Sequence, residues 1–178
     1  MDNSKLKNVV LTAMFAALIF LGTFIIRIPI PATSGYIHFG DGFIYVAAMV
    51  LPLPFAAAAG AIGGFLSDML AGYMFYAPWT AIIKALMSVV VVLIFRHSFI
   101  DKNFVFKKNI GRALAATVLA GIVNVGGYFI VECFMYTPAG ALASVPMNCL
   151  QSIFGVVIFF IISPIFSRIL KTLYPNKK

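Results

Sequence analysis

The chain has 178 residues, 62% of them hydrophobic and only 10% charged, with a mean hydropathy of +1.04. A soluble domain of this length leaves too much surface in water to hide that apolar fraction, so the composition points to lipid as the solvent. The net charge of +8 is not gathered into basic runs with interleaved aromatics on a polar background, which argues against nucleic acid as a partner.

Six apolar stretches follow one another along the chain, at residues 6–26, 38–52, 55–73, 78–96, 111–133 and 146–170. The first comes after Lys5 and Lys7 and superficially resembles a secretion signal. Its core from Val9 to Ile26 is longer than a signal core, and no convincing cleavage site follows, so it reads as a retained first helix. The second stretch is short for a span of about 20 residues, and only Leu51-Pro52-Leu53-Pro54 separates it from the third. The reading is an all-α membrane bundle of six transmembrane helices in one domain over residues 1–178, with five spans or a re-entrant pair as the alternative.

Charge placement sets the topology. With the amino terminus in the cytoplasm, Lys5, Lys7, Arg96, Lys102, Lys107, Lys108, Arg112, Arg168, Lys171, Lys177 and Lys178 all fall on the cytoplasmic side. Arg27 alone falls outside, and Lys84 lies within a span. Basic residues collect on the cytoplasmic side of membrane proteins, so both termini are expected there, as an even helix count requires. The outer segments Arg27–Ile37 and Phe134–Val145, rich in Pro, Gly, Thr, Ser and Tyr, read as loops able to cover a ligand.

Charged residues within spans are costly and usually face the bundle interior or an aqueous cavity. Here Asp41, Asp68, Lys84, Glu132, Asn148 and Gln151 all lie in the outer half, which suits a pocket open to the outside better than a pore. Asp68 and Lys84 share a level and are a candidate buried ion pair. Asp41 and His38 are equally readable as capping residues at a helix start. Asn124, Tyr128 and Glu132 recur every four residues and form one stripe, while Asn148, Gln151, Ser152 and Gly155 make a comparable face on the last helix. Tyr36, Tyr73, Tyr76, Trp79 and Tyr136 gather at the same level, either to stack on a flat ring or as an interfacial belt. Ala13 and Ala17, four apart in a bulky helix, would let another helix approach closely.

Cys133 and Cys149 have no metal-ligand spacing and read as free thiols. No phosphate-binding glycine loop and no nucleophile or metal constellation occurs, so neither enzymatic activity nor a cofactor is expected.

Several segments, in order, carry a family resemblance. They are Leu11-Thr12-Ala13-Met14-Phe15-Ala16-Ala17-Leu18, Ile28-Pro29-Ile30-Pro31, Gly35-Tyr36-Ile37-His38-Phe39-Gly40-Asp41-Gly42 and Ser67-Asp68-Met69-Leu70-Ala71-Gly72-Tyr73. Tyr76-Ala77-Pro78-Trp79-Thr80-Ala81-Ile82-Ile83-Lys84 and the step Asn148-x-x-Gln151 complete the set. Together they resemble the S components of energy-coupling factor (ECF) transporters. The resemblance implies a six-helix subunit of the bacterial plasma membrane that captures a vitamin from outside. It also implies a transmembrane coupling subunit and two cytoplasmic ATPase subunits as partners, with Ala13 and Ala17 at the contact with the coupling subunit. The first outer loop would act as a lid. The expected substrate-binding residues are Tyr36, His38, Trp79, Lys84, Tyr128, Glu132, Asn148 and Gln151. Hydroxymethylpyrimidine or a pyridoxine-like compound is the preferred ligand. Pantothenate, riboflavin or another vitamin is the alternative, as is a stand-alone ion-coupled permease.

Overall fold

A computed structural model describes residues 3–30, 35–96 and 109–173. Lys102, Lys107, Lys108, Lys177 and Lys178, used above to orient the chain, lie outside the described residues. The elements are α1 (Asn3–Phe24), β1 (Arg27–Ile30), β2 (Gly35–His38), α2 (Asp41–Val50), α3 (Leu53–Ala71), α4 (Ala77–Val91), α5 (Ile110–Met135) and α6 (Pro138–Leu173). A π-helical turn, Val92–Arg96, continues α4.

Five helices among the described residues are long and apolar enough to cross a membrane, and α2 is an apolar helix of only ten residues. Its brevity has a geometric cause. The segment read as an outer loop is an antiparallel hairpin, with Arg27 opposite His38 and Ile30 opposite Gly35. Strand β2 is buried at Gly35, Ile37 and His38, so the hairpin carries the chain down into the bundle before α2 begins. Asp41, the first residue of α2, therefore meets Lys84, the eighth residue of α4 and roughly 10 Å below that helix's start.

The second segment read as an outer loop is also more ordered than its composition suggests. Helix α6 begins at Pro138, not near residue 146. Thr137 precedes it and its Oγ1 accepts a hydrogen bond from the Gly140 amide at 3.1 Å. That is an N-cap, and proline at the first helical position costs nothing because its missing N–H would be unpaired anyway. The helix then runs through Pro146 and Pro164.

Inside the bundle, α2 is nearly all buried, from Ile44 to Leu51, with Phe15 and Ile19 of α1, Met87 and Val91 of α4, and Phe159 of α6. Outward faces carry Met14, Leu70, Ile82, Ile122, Ile153 and Ile161, each more than half exposed, which is the pattern of helices solvated by lipid. Two glycines allow the close approaches that bring the polar core together. A Cβ on Gly64 of α3 would stand 3.0 Å from Lys84 Cγ, and one on Gly155 of α6 would stand 2.8 Å from Asp41 Cβ. Gly155→Ala should therefore overpack the α2–α6 contact. A loss of about 1–3 kcal/mol is expected, seen as a lowered thermal midpoint of the detergent-purified protein.

Candidate functional site

Helices α4, α5 and α6 present three polar stripes to one another, each built on a four-residue step. Tyr76, Thr80 and Lys84 descend α4 while Glu132, Tyr128 and Asn124 descend the antiparallel α5, and they meet rung by rung. Tyr76 donates to Glu132 Oε1 at 3.4 Å, Thr80 Oγ1 and the Tyr128 hydroxyl lie 2.9 Å apart, and Lys84 Nζ donates to Asn124 Oδ1 at 2.8 Å. From α6, Ser144 donates to Glu132 Oε2, and Ser152 Oγ accepts from Asn124 Nδ2 at 3.2 Å.

The lowest rung continues into a buried network. Lys84 Nζ lies 2.6 Å from Asp41 Oδ1, both side chains being almost wholly buried. Gln151 Nε2 donates to Asp41 Oδ2 at 3.0 Å, and Gln151 Oε1 accepts from the His38 amide at 3.2 Å. This corrects two expectations. Lys84 is paired with Asp41, not Asp68. Asp41 is the ion-pair partner and not a cap, whereas His38 does meet the start of α2, its Nδ1 accepting from the amide of the N-cap residue Gly40. A buried charge needs both a counter-ion and hydrogen bonds for its remaining groups, and the network supplies them.

Above this floor sits a cavity of about 20 Å³, room for roughly one water. Its walls are Tyr36 and His38 of the hairpin, Asp68 at the end of α3, Tyr73, Tyr76 and Thr80 around the start of α4, Tyr128 and Glu132 of α5, and Asn148 of α6, with Ile30 and Gly35. Five of the eight expected substrate-binding residues thus border one space: Tyr36, His38, Tyr128, Glu132 and Asn148. Lys84 and Gln151 lie in the network beneath. Trp79 is 47% exposed and is not part of the lining. Thr80 and Ser144 went unrecognised in the sequence. Thr80 sits one turn from both Tyr76 and Lys84, a spacing that would have marked it; Ser144 falls in the segment taken for a loop.

The hairpin closes the cavity through specific contacts. The Tyr36 hydroxyl donates to Asp68 Oδ1 at 2.6 Å, and its ring lies 4.7 Å from that of Tyr73. Burial and the adjacent Asp68 carboxylate push the Tyr36 phenol up, which keeps it a donor. Asp68 Oδ2 is buried without a hydrogen bond of good geometry. His38 Nδ1 accepts from the Gly40 amide at 3.1 Å, leaving Nε2–H as the ring's donor. Burial and the Lys84 charge, against the opposing pull of Asp41, lower His38 to about 3, so the imidazole stays neutral at physiological pH. A shallower cleft of about 310 Å³ adjoins the same two tyrosines and is otherwise bordered by Arg27, Pro29 and Ala71.

A small space at one end of a lipid-facing bundle is thus walled by aromatics and two carboxylates under a hairpin. Residues 3–168 match the family model described as ECF-type riboflavin transporter, S component. The chain belongs to the ECF S components. A solved structure of the S component of a bacterial ECF transporter superposes with a TM-score of 0.65, covering 94% of this chain and 99% of that one, at 18% identity. The thiamine precursor transporter HmpT of Lactococcus lactis subsp. cremoris is 32% identical over 169 residues, 94% of this chain and 92% of that protein. An uncharacterized protein of Pyrococcus woesei is 37% identical over 136 residues, 76% of this chain and 85% of its own length. As an S component the chain is a multi-pass membrane protein and a substrate-binding transporter subunit, not an enzyme.

Proposed function

We infer that this S component captures a small heteroaromatic vitamin or vitamin precursor, hydroxymethylpyrimidine or a pyridoxine-like compound, at the outer face of the membrane. It passes the ligand inward with a transmembrane coupling subunit and two cytoplasmic ATPase subunits. The whole chain acts as one domain with α2 as a short sixth span and both termini in the cytoplasm, which puts the hairpin end outside. The positive-inside distribution of Lys and Arg supports this orientation.

The observation that carries the ligand assignment is the lining of the cavity. Tyr36, Tyr73, Tyr76 and Tyr128 offer ring faces, while Glu132, Asn148 and the His38 Nε2–H offer polar groups at the edges. That combination suits a single flat ring bearing hydrogen-bonding substituents. A space of about 20 Å³ must widen to admit even one ring. The name of the Lactococcus relative supports the same ligand class. Pantothenate is disfavoured because Lys84, the cation its carboxylate would need, is committed to Asp41 and Asn124. Riboflavin is the second reading, favoured by the description of the matching family model, and its three fused rings demand a much larger opening.

Native mass spectrometry of the detergent-purified chain, followed by calorimetry with hydroxymethylpyrimidine, pyridoxine and riboflavin, tests the assignment. Binding should need no nucleotide, whereas accumulation in vesicles should need the partner ATPases; concentrative uptake by the purified chain alone would overturn this function. Glu132→Gln should weaken the ligand by about 1.5–3 kcal/mol if the carboxylate accepts a hydrogen bond from the ring's substituents. Unchanged affinity in that variant would remove Glu132 from the site.

A further inference from the structure

Lys84 and Asp68 face the same question, whether a buried charge serves the fold or the ligand, and the structure separates them. Lys84 donates to Asp41 and Asn124 and does not border the cavity. Asp68 is 4% exposed and borders the cavity. One of its oxygens receives the Tyr36 hydroxyl, the other is buried without a hydrogen bond of good geometry, and the Thr80 hydroxyl lies close to the carboxylate while engaged with Tyr128.

An orphaned carboxylate oxygen is costly in a protein interior unless something completes it. Its position adds to the cost. Asp68 lies in the last turn of α3, where the unsatisfied carbonyls already make the helix end negative, and that turn holds no basic residue. The turn ends at Gly72, whose left-handed φ of 86° lets Tyr73 fold back so that its amide reaches the Asp68 carbonyl. The local field at the cavity wall therefore favours a hydrogen-bond donor, above all a positively polarised one.

The geometry points to Asp68 as a specificity-determining residue: its free oxygen takes an N–H of the ligand while its other oxygen holds Tyr36 of the hairpin over the bound ring. Resting on the heteroaromatic assignment above, this narrows the substrate class to rings that present an exocyclic amine or a protonated ring nitrogen to α3. It also ties recognition to closure, because one carboxylate grips both the ligand and the hairpin. A ring lacking the donor leaves the buried oxygen unpaired, and a site built to hydrogen-bond a substrate group rejects the analogue without it far more strongly than an apolar pocket rejects a shape change.

The test is calorimetry on the full-length protein in detergent with 4-amino-5-hydroxymethyl-2-methylpyrimidine and its des-amino analogue. Wild type should prefer the amine by about 10- to 100-fold, the range of a charge-assisted hydrogen bond. D68N keeps an oxygen for Tyr36 but turns an N–H toward the ligand, so the preference should collapse mainly through loss of amine binding. Y36F leaves the free oxygen intact, so both ligands should weaken together with the preference retained. Equal binding of both pyrimidines by wild type, or a preference that survives D68N, would overturn the role of Asp68 while leaving the pyrimidine assignment in place. If D68N does not fold, E132Q decides: a preference retained in E132Q supports Asp68, and one lost with it gives the amine to Glu132 and overturns the role of Asp68. If wild type binds riboflavin and neither pyrimidine, the ligand assignment falls. Riboflavin against its N3-methyl derivative, which lacks the imide N–H, then decides the role of Asp68 in the same way. Binding of none of these compounds, nor of pyridoxine, would overturn both.

Discussion

Lys84→Met should strip the protein of most of its stability, and Asp41→Asn added to it should restore a large part. The lysine is the only cation within hydrogen-bonding reach of the Asp41 carboxylate among the described residues, at 2.6 Å, and both side chains are about 1% exposed or less. Removing it leaves a carboxylate fixed in the bundle by Gln151 but without a counter-charge, and breaking a buried pair from one side typically costs about 3–5 kcal/mol. Against a total of about 5–15 kcal/mol for a folded domain, that is enough to make the detergent-purified variant aggregate or lose its unfolding transition. Asn124 Oδ1 also loses its donor, so the damage extends to α5. With Asp41 made neutral in the double variant, the uncompensated charge disappears and the penalty should shrink, giving a strong favourable coupling in the double-mutant cycle. Size-exclusion profiles and thermal midpoints of the four proteins measure it. A Lys84→Met variant with an unchanged midpoint and lost ligand binding would instead make the lysine an anion-binding group and revive the pantothenate reading.

That outcome depends on an interaction the sequence shows only in part. The α5 stripe was legible because Asn124, Tyr128 and Glu132 lie on one helix at a fixed step, and a helix repeats its face at that step whatever surrounds it. Which carboxylate meets Lys84 was not legible. Depth along a span follows from counting residues, but the direction a side chain faces follows from how helices pack, and Asp68 and Asp41 both lie within reach in depth. The recessed start of α2 decides the matter, and it depends on the hairpin at residues 27–38. A stretch such as Arg27-Ile28-Pro29-Ile30 is too short for its alternation to stand out, and its proline reads as a break although an edge strand tolerates one. Thr137-Pro138 likewise reads as loop or as helix start with equal ease. Trp79 was grouped with the site by its level alone. Tyr76, Thr80 and Lys84 share the inward face of α4, and Trp79, one residue short of Thr80, turns away from it.

The membrane-inward consequence of this arrangement is an expected split between binding and transport. Replacing Ala13 and Ala17 together with Trp should abolish energised uptake while ligand affinity stays nearly unchanged. On α1 the two alanines are exposed, alongside Val10 at 51%, Met14 at 56% and Leu21 at 45%, whereas the neighbouring Phe15, Ala16 and Ile19 are buried and hold α1 against the bundle. The outward face thus carries two small residues one turn apart among the bulkier Val10, Met14 and Leu21, a step that lets another helix approach the backbone. The inward face carries the packing of the subunit itself, so bulk at the alanines does not enter the core. Nor does it reach the cavity. α1 contributes no residue to its lining, and Ala17 lies seven residues before the end of α1, roughly 10 Å along the axis. Ligand affinity by calorimetry and co-purification with the coupling subunit should therefore move independently, the second lost and the first kept. Joint loss of thermal stability and ligand binding would mean that the alanines pack within this subunit. Full transport by the double Trp variant would place the partner elsewhere on the bundle.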